Sequence, residues 1–252
     1  MRKIVIAALA VLASGGLYIA FAQQAAKPAE IPAPAPTPIA AQEIPVGMPK
    51  PDPTIKEFGN TGGTVRSYLI QDAPLRSDFV LGKRNAPVVL VEYASLSCPH
   101  CAHFSNTVLP ELEKKYINTG KLAYILRQFP LNEPAMRGAM LLDCVGSSSE
   151  EQYYVFARVL FDAQKRWAFD TNFMEGLETI ASVGGISKQQ FKNCVSDKDR
   201  EMKLLKQKKT DNDELKIPHT PYIVIGGEAY TGENSVAEVS KFIDAKLAKA
   251  KK

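Results

Sequence analysis

The spacing of apolar and polar residues divides the chain into stretches of different period. Pro87–Ala94 (PVVLVEYA) is apolar at nearly every position and rich in β-branched side chains. That is the pattern of a central strand covered on both faces. The stretch from Pro99 to about Tyr116 reads as a helix, and Leu122–Phe129 (LAYILRQF) as the next strand. A helix between two strands makes a crossover, so the strands are expected to run parallel. Thr64–Ile70 reads as an edge strand.

Downstream the period lengthens to that of helices. Phe156, Val159 or Leu160, and Ala163, followed by Phe173, Leu177 and Ile180, recur at helical spacing and mark packing faces. Pro134 suits a helix start, where its missing N–H costs nothing. Ser149 with Gln152, and Ser187 with Gln190, match the capping box, in which the hydroxyl and the amide each satisfy a backbone N–H. Gly184-Gly185 should separate one helix from the next, and the mixed-charge run Asp197–Glu214 should be a solvated helix. Strand character resumes at Pro221–Ile225, turns at Gly226-Gly227 and pairs again near Glu228–Tyr230. A last helix opens at Ser235, with Glu238 completing another capping box. This order predicts a small α/β sheet interrupted by an all-helical insertion of roughly residues 131–209.

The first residues follow a different logic. Met1-Arg2-Lys3 is basic, Ile4–Phe21 is apolar, and Ala20-Phe21-Ala22 offers small residues at the positions a signal peptidase reads. Residues 1–22 are therefore expected to be a cleaved signal peptide; uncleaved, they would anchor the chain in a membrane. Either way the folded part lies outside the cytoplasm, and a periplasmic location is expected. Residues 23–53 alternate Pro and Ala, a composition with too little apolar surface to order, and read as an extended tether. Residues 54–252 are long enough for one domain with a sizeable core. The net charge of +4 falls further without Arg2 and Lys3 and is spread along the chain, so nothing points to nucleic acid. Lys246, Lys249, Lys251 and Lys252 lie where a helix C-terminus favours cations.

Candidate chemistry concentrates in Cys98-Pro99-His100-Cys101, which joins the first strand to its helix. A helix N-terminus presents unpaired N–H groups and partial positive charge, and both favour a thiolate. Cys-X-X-Cys after a strand is the arrangement of a dithiol/disulfide redox centre. An inert staple is disfavoured, because closing so short a loop removes little unfolded-state entropy. Zinc would want four ligands, for which Cys98, Cys101, His100 and His103 are the candidates, but the four Cys do not form two close pairs. Covalent haem would need His directly after the second Cys, and Ala102 stands there. No metal or other cofactor is expected.

The chain resembles the DsbA family of exported thioredoxin-fold oxidoreductases. The residues that carry the resemblance are Cys98-Pro99-His100-Cys101, Glu92 six positions before the first Cys, Phe129-Pro130-Leu131 after the second strand, and Thr220-Pro221 before the third. The likeness spans about Asp78–Leu247. It implies a thioredoxin fold with an inserted helical lobe, a cis peptide before Pro221 facing the dithiol, and donation of disulfides to unfolded or reduced exported proteins. A membrane quinone-linked partner would regenerate the disulfide. By the same resemblance Glu92 accepts a proton from Cys101, and Thr220-Pro221 offers its free backbone carbonyl and N–H to an extended substrate.

Within that frame Cys98 is the exposed nucleophile and Cys101 the resolving thiol, the two forming the redox-active disulfide. His100 can stabilise the Cys98 thiolate by hydrogen bond or charge. His103 and His219 read as ordinary residues near the site. Cys144 and Cys194 both fall in the helical insertion; in an exported protein they are expected to pair, the alternative being two buried thiols. Rival activities are disulfide isomerisation or reduction on the same fold, and a non-enzymatic holdase. CPHC leans to an oxidase, whereas Thr before the expected cis-Pro also occurs in isomerases.

Overall fold

The computed structural model describes residues 78–250; the expected signal segment, the tether and the Thr64–Ile70 strand lie outside them. Strand β1 (Val88–Ala94) pairs in parallel with β2 (Leu122–Gln128) and antiparallel with β3 (Tyr222–Ile225). β3 pairs antiparallel with β4 (Glu228–Tyr230), giving the order β2-β1-β3-β4. The hairpin between β3 and β4 turns at Gly226 and Gly227, with φ of 55° and 76°. Two successive positive φ values match a tight turn that follows strand twist, and glycine adopts them without a Cβ clash. Outside β2, Leu81 exchanges backbone hydrogen bonds with Tyr124 at 2.9 Å in each direction. The edge contact therefore comes from the segment just before β1.

Alternation along β1 and β2 sends side chains to two layers. Val88, Leu90 and Ala94 join Leu122, Tyr124 and Leu126 in the larger core. Val91 and Tyr93 join Ala123 and Ile125 in a smaller one, capped by Val80, Phe129 and Ile217. Charged Glu92 and Arg127 are carried into opposite layers by the same alternation, and both are buried.

The crossover α1 starts at Pro99–His103 and continues through Leu109–Leu112. Two π-helical turns, Phe104–Val108 and Glu113–Ile117, interrupt it where the sequence pattern implies a regular helix. The first lies just ahead of Pro110, which has no N–H to donate and crowds the preceding turn.

Five helices follow: α2 (Glu133–Gly146), α3 (Glu150–Asp162), α4 (Phe173–Val183), α5 (Lys188–Ser196) and α6 (Lys198–Leu215). Their starts show why the sequence breaks there. Asn132 accepts from the Ala135 N–H with Pro134 in the first turn, Ser149 accepts from Gln152 N–H, and Ser187 with Gln190 completes both halves of its box. Each good cap contributes about 1 kcal/mol. Leu177 and Leu160 point inward as the periodicity implies, whereas Val159 is exposed.

The helical block ends at Leu215, past the expected residue 209, because Lys216 takes a left-handed φ of 49° and closes α6. α6 also departs from a purely solvated helix. Leu204 packs with Met136 and Met140 of α2, and Asp211 is buried. Cys144 on α2 and Cys194 on α5 are joined in a disulfide. The chain closes with α7 (Val236–Ala250), which packs Val239 and Ile243 into the larger core.

Candidate active site

Cys98 is the residue that caps α1, with extended backbone (φ −85°, ψ 120°), and Pro99 occupies the first helical turn. The segment ahead of it is held from three directions. Cys98 N–H donates to the Ser95 carbonyl at 3.0 Å, and Ser95 Oγ accepts from Leu131 N–H at 3.3 Å. From the helical lobe, the Gln164 amide donates to the carbonyls of Leu96 (2.8 Å) and Cys98 (3.0 Å). A buried glutamine side chain thus takes the Leu96 carbonyl and shares the Cys98 carbonyl with the Ala102 N–H of α1. Sequence reasoning missed Gln164 and Ser95, because nothing local marks a lone Gln as the tie between lobe and dithiol.

Cys98 and Cys101 are both thiols in this structure. Cys98 is only 7% exposed and Cys101 fully buried, which corrects the expectation of an exposed nucleophile. The cover is the loop before β3. Its Thr220–Pro221 peptide is cis, and the Cys98 thiol donates to the Thr220 carbonyl at 3.3 Å. That carbonyl, expected to be free, is engaged by the sulfur.

The two sulfurs have opposite electrostatics. The Cys98 thiol is pushed down to about 5, chiefly by the hydrogen bond from Cys101. Burial opposes the shift, and the Thr220 hydroxyl and the backbone N–H groups of Cys101 and His100 add to it. Cys101 is pushed up by burial first, then by its bond to Cys98 and the nearby Glu92 carboxyl. His100 is exposed, and it acts on Cys98 through its backbone.

Glu92 lies on β1 with no exposed surface, and burial pushes its carboxyl up to about 8. The Tyr124 hydroxyl, which donates to Oε2 at 2.5 Å, pulls the other way, and Cys98 adds to the rise. The His103 ring contacts the Thr107 hydroxyl at 3.3 Å, and His219 meets the Tyr222 ring edge-on with its Nδ1 3.2 Å from the Pro221 carbonyl. Among the described residues no group of three or more His, Cys, Asp or Glu could hold a metal ion.

A thiol pair at a strand–helix junction, a buried acid behind it and a cis-proline loop over it can be compared with known proteins. A family model described as Thioredoxin matches residues 75–245. The crystal structure of alpha-DsbA1 from Wolbachia pipientis superposes with a TM-score of 0.68 at 30% identity, covering 74% of this chain and 98% of that one. The chain belongs to the DsbA family. A Rickettsia felis relative named a protein-disulfide oxidoreductase is 34% identical over 176 residues, 69% of this chain. The aligned part spans 62% of that relative's length. Oxidised BdbD from Bacillus subtilis shares the fold, with a TM-score of 0.61 at 21% identity over 69% of this chain and 95% of that one. The family's thioredoxin fold with an inserted helical lobe is the architecture described above. Among the described residues no helix is long and apolar enough to cross a membrane.

Proposed function

We propose that this chain is a thiol:disulfide oxidoreductase that introduces disulfides into exported proteins through Cys98 and Cys101. The observation that carries the reading is the asymmetry of the two sulfurs, one held as an acidic thiol near 5 and its neighbour driven toward the protonated form.

In the disulfide form a substrate thiolate attacks Cys98 Sγ. The Cys98–Cys101 bond breaks, a mixed disulfide forms at Cys98, and Cys101 leaves and takes a proton. Glu92, still protonated at neutral pH, supplies that proton; in the reverse direction its carboxylate accepts it from Cys101. A second substrate thiolate then attacks the substrate sulfur and expels Cys98 as the thiolate that its surroundings stabilise. Two electrons pass from substrate dithiol to enzyme, and the reduced enzyme is favoured. That preference supports an oxidase over an isomerase or reductase, because a stabilised reduced form surrenders its disulfide readily.

Thr220 and Pro221 form the backbone edge on which an extended substrate would pair once the Cys98 thiol releases the Thr220 carbonyl. His100 contributes its N–H and, when protonated, the charge of its imidazole. The Cys144–Cys194 bridge is consistent with an oxidising compartment, reached through a signal cleaved after Ala22. There a membrane quinone-linked partner would restore the disulfide.

The test is oxidation of a reduced, unfolded model protein, with the couple's potential measured against glutathione. Turnover lost in Cys98→Ala and a strongly oxidising potential are expected. A thioredoxin-like potential would turn the reading to a reductase, and protection from aggregation that survives Cys98→Ala without turnover would turn it to a holdase.

A further inference from the structure

A buried carboxyl with no cation beside it among the described residues is an unusual solution for a group that must exchange protons. Glu92 has its Oε1 buried with no hydrogen-bond partner among the described residues, while Oε2 accepts from the Tyr124 hydroxyl. Tyr124 is 1% exposed and is fixed from several sides. Its backbone N–H and carbonyl bond Leu81, its carbonyl also accepts from the Tyr154 hydroxyl at 3.0 Å, and its ring packs on Tyr154 with centroids 5.7 Å apart. In the β1–β2 register Tyr124 lies opposite Leu90 and Glu92 opposite Leu126, so the two side chains are diagonal neighbours on one face of the sheet. The hydroxyl reaches the carboxyl because the pairing is parallel and in this register; a slip by one residue would send it to the other layer.

We propose that Tyr124 is the positioning residue of proton transfer at Cys101: its hydroxyl holds Oε2 of Glu92 and leaves Oε1 as the atom that exchanges the proton. This rests on the dithiol exchange proposed above. A lysine or arginine in this place would fix the carboxyl as a carboxylate. A phenol adds no charge, and its O–H donates to the ionised form while burial favours the neutral one. The balance keeps both protonation states within reach at working pH, which a group serving as acid in one direction and base in the other requires.

The step is seen most directly in the oxidising direction for the enzyme. With oxidised glutathione, the Cys98 thiolate breaks the glutathione disulfide, forming a mixed disulfide and releasing one glutathione thiolate. Glu92 Oε1 then takes the Cys101 proton, Cys101 attacks Cys98 Sγ, the Cys98–Cys101 bond forms, and the second glutathione leaves as thiolate. Only the second phase uses Glu92 as base, so the first is an internal reference that also reports a folded site.

The experiment is rapid-quench release of glutathione from reduced full-length protein across a pH series, comparing wild type, Tyr124→Phe, Glu92→Gln and the double variant. A difluorinated tyrosine at position 124, a stronger donor on the same ring, completes the set. Wild type should show a second phase that rises with the ionisation of Glu92. Tyr124→Phe should move that midpoint up by about one pH unit, a tenfold slower second phase at fixed pH below it, and the fluorinated ring should move it down. Glu92→Gln should abolish the inflection, after which Tyr124→Phe adds nothing. An unmoved midpoint in both ring variants overturns the proposal, as does an equal slowing by Tyr124→Phe in the Glu92→Gln background. If wild type shows no first phase, the dithiol reading falls and takes this role with it. A normal first phase with an unmoved midpoint removes only Tyr124.

Discussion

At the scale of single residues, the thiolate at position 98 is held by its neighbours in an order that can be tested. The Cys101 thiol is the leading contributor, and residue 100 adds a lesser one through its backbone N–H, which an alanine there keeps. Replacing Cys101 by Ala should therefore raise the Cys98 pKa more than His100→Ala does, by about one unit, or a tenfold loss of thiolate at acidic pH. The pH dependence of iodoacetamide alkylation at Cys98 measures both; equal shifts, or a larger one for His100→Ala, would reverse the order. The depressed value has a second consequence. An unfolded Cys titrates near 8.5, so the reduced protein gains stability as pH rises above about 5, full above 8.5 and lost as pH falls through the folded value. At pH 7 the gain is on the order of 3 kcal/mol, and the disulfide form lacks it.

The elements themselves were largely written in the chain, and the reasons differ from one to the next. β1 was legible because a β-branched run ahead of a Cys-X-X-Cys leaves few alternatives, α2 because Pro134 suits a first turn, and α3 and α5 because caps mark their starts. What did not show was anything set by distance in space. No periodicity places Gln164 against Cys98, Tyr124 against Glu92, or Asp211 against Arg127. The burial of Cys98 belongs to the same class, since its cover comes from a loop 122 residues away. The disulfide lies between these cases, because two leftover cysteines in the insertion suggest a pair without giving its geometry. Its 50-residue separation fixes the scale of its contribution, about 4 kcal/mol from loop closure. The Cys144→Ala, Cys194→Ala double variant should lose stability of that order in urea unfolding, with the Cys98 titration unchanged. A loss below about 1 kcal/mol would mean that residual structure in the unfolded chain already supplies most of that restriction.

Across the whole molecule, the sheet and the last helix of the lobe are joined by a buried charge cluster on the face away from the dithiol. Arg127 on β2 spends its best geometry on Asp78, at 2.6 Å, and on the Tyr93 hydroxyl at 3.0 Å. Asp211 on α6 is left with a 3.5 Å contact to the same guanidinium and with Oδ2 unpartnered among the described residues. Burial therefore outweighs the Arg127 attraction and pushes the Asp211 carboxyl up to about 7, with Asp78 and Glu214 adding to the rise. An unfolded Asp ionises near 3.9, so between about pH 4 and 7 the native state binds the extra proton. Native stability must then fall as pH rises through that window. Buried Glu92 slopes the same way, whereas the Cys98 thiolate slopes oppositely; the disulfide form removes the latter, and comparison with a variant cancels the former. In that form Asp211→Asn should flatten the dependence, recovering about 2 kcal/mol relative to wild type between pH 5 and pH 8. Urea unfolding at the two pH values decides it, since parallel curves for the two proteins would mean that Arg127 satisfies both carboxylates and that Asp211 is ionised throughout. The cluster ties the end of the lobe to the sheet only as firmly as that shared guanidinium allows, so alkaline conditions should loosen α6 before the β1–β2 core, which amide exchange at Leu204 and Ile125 would register.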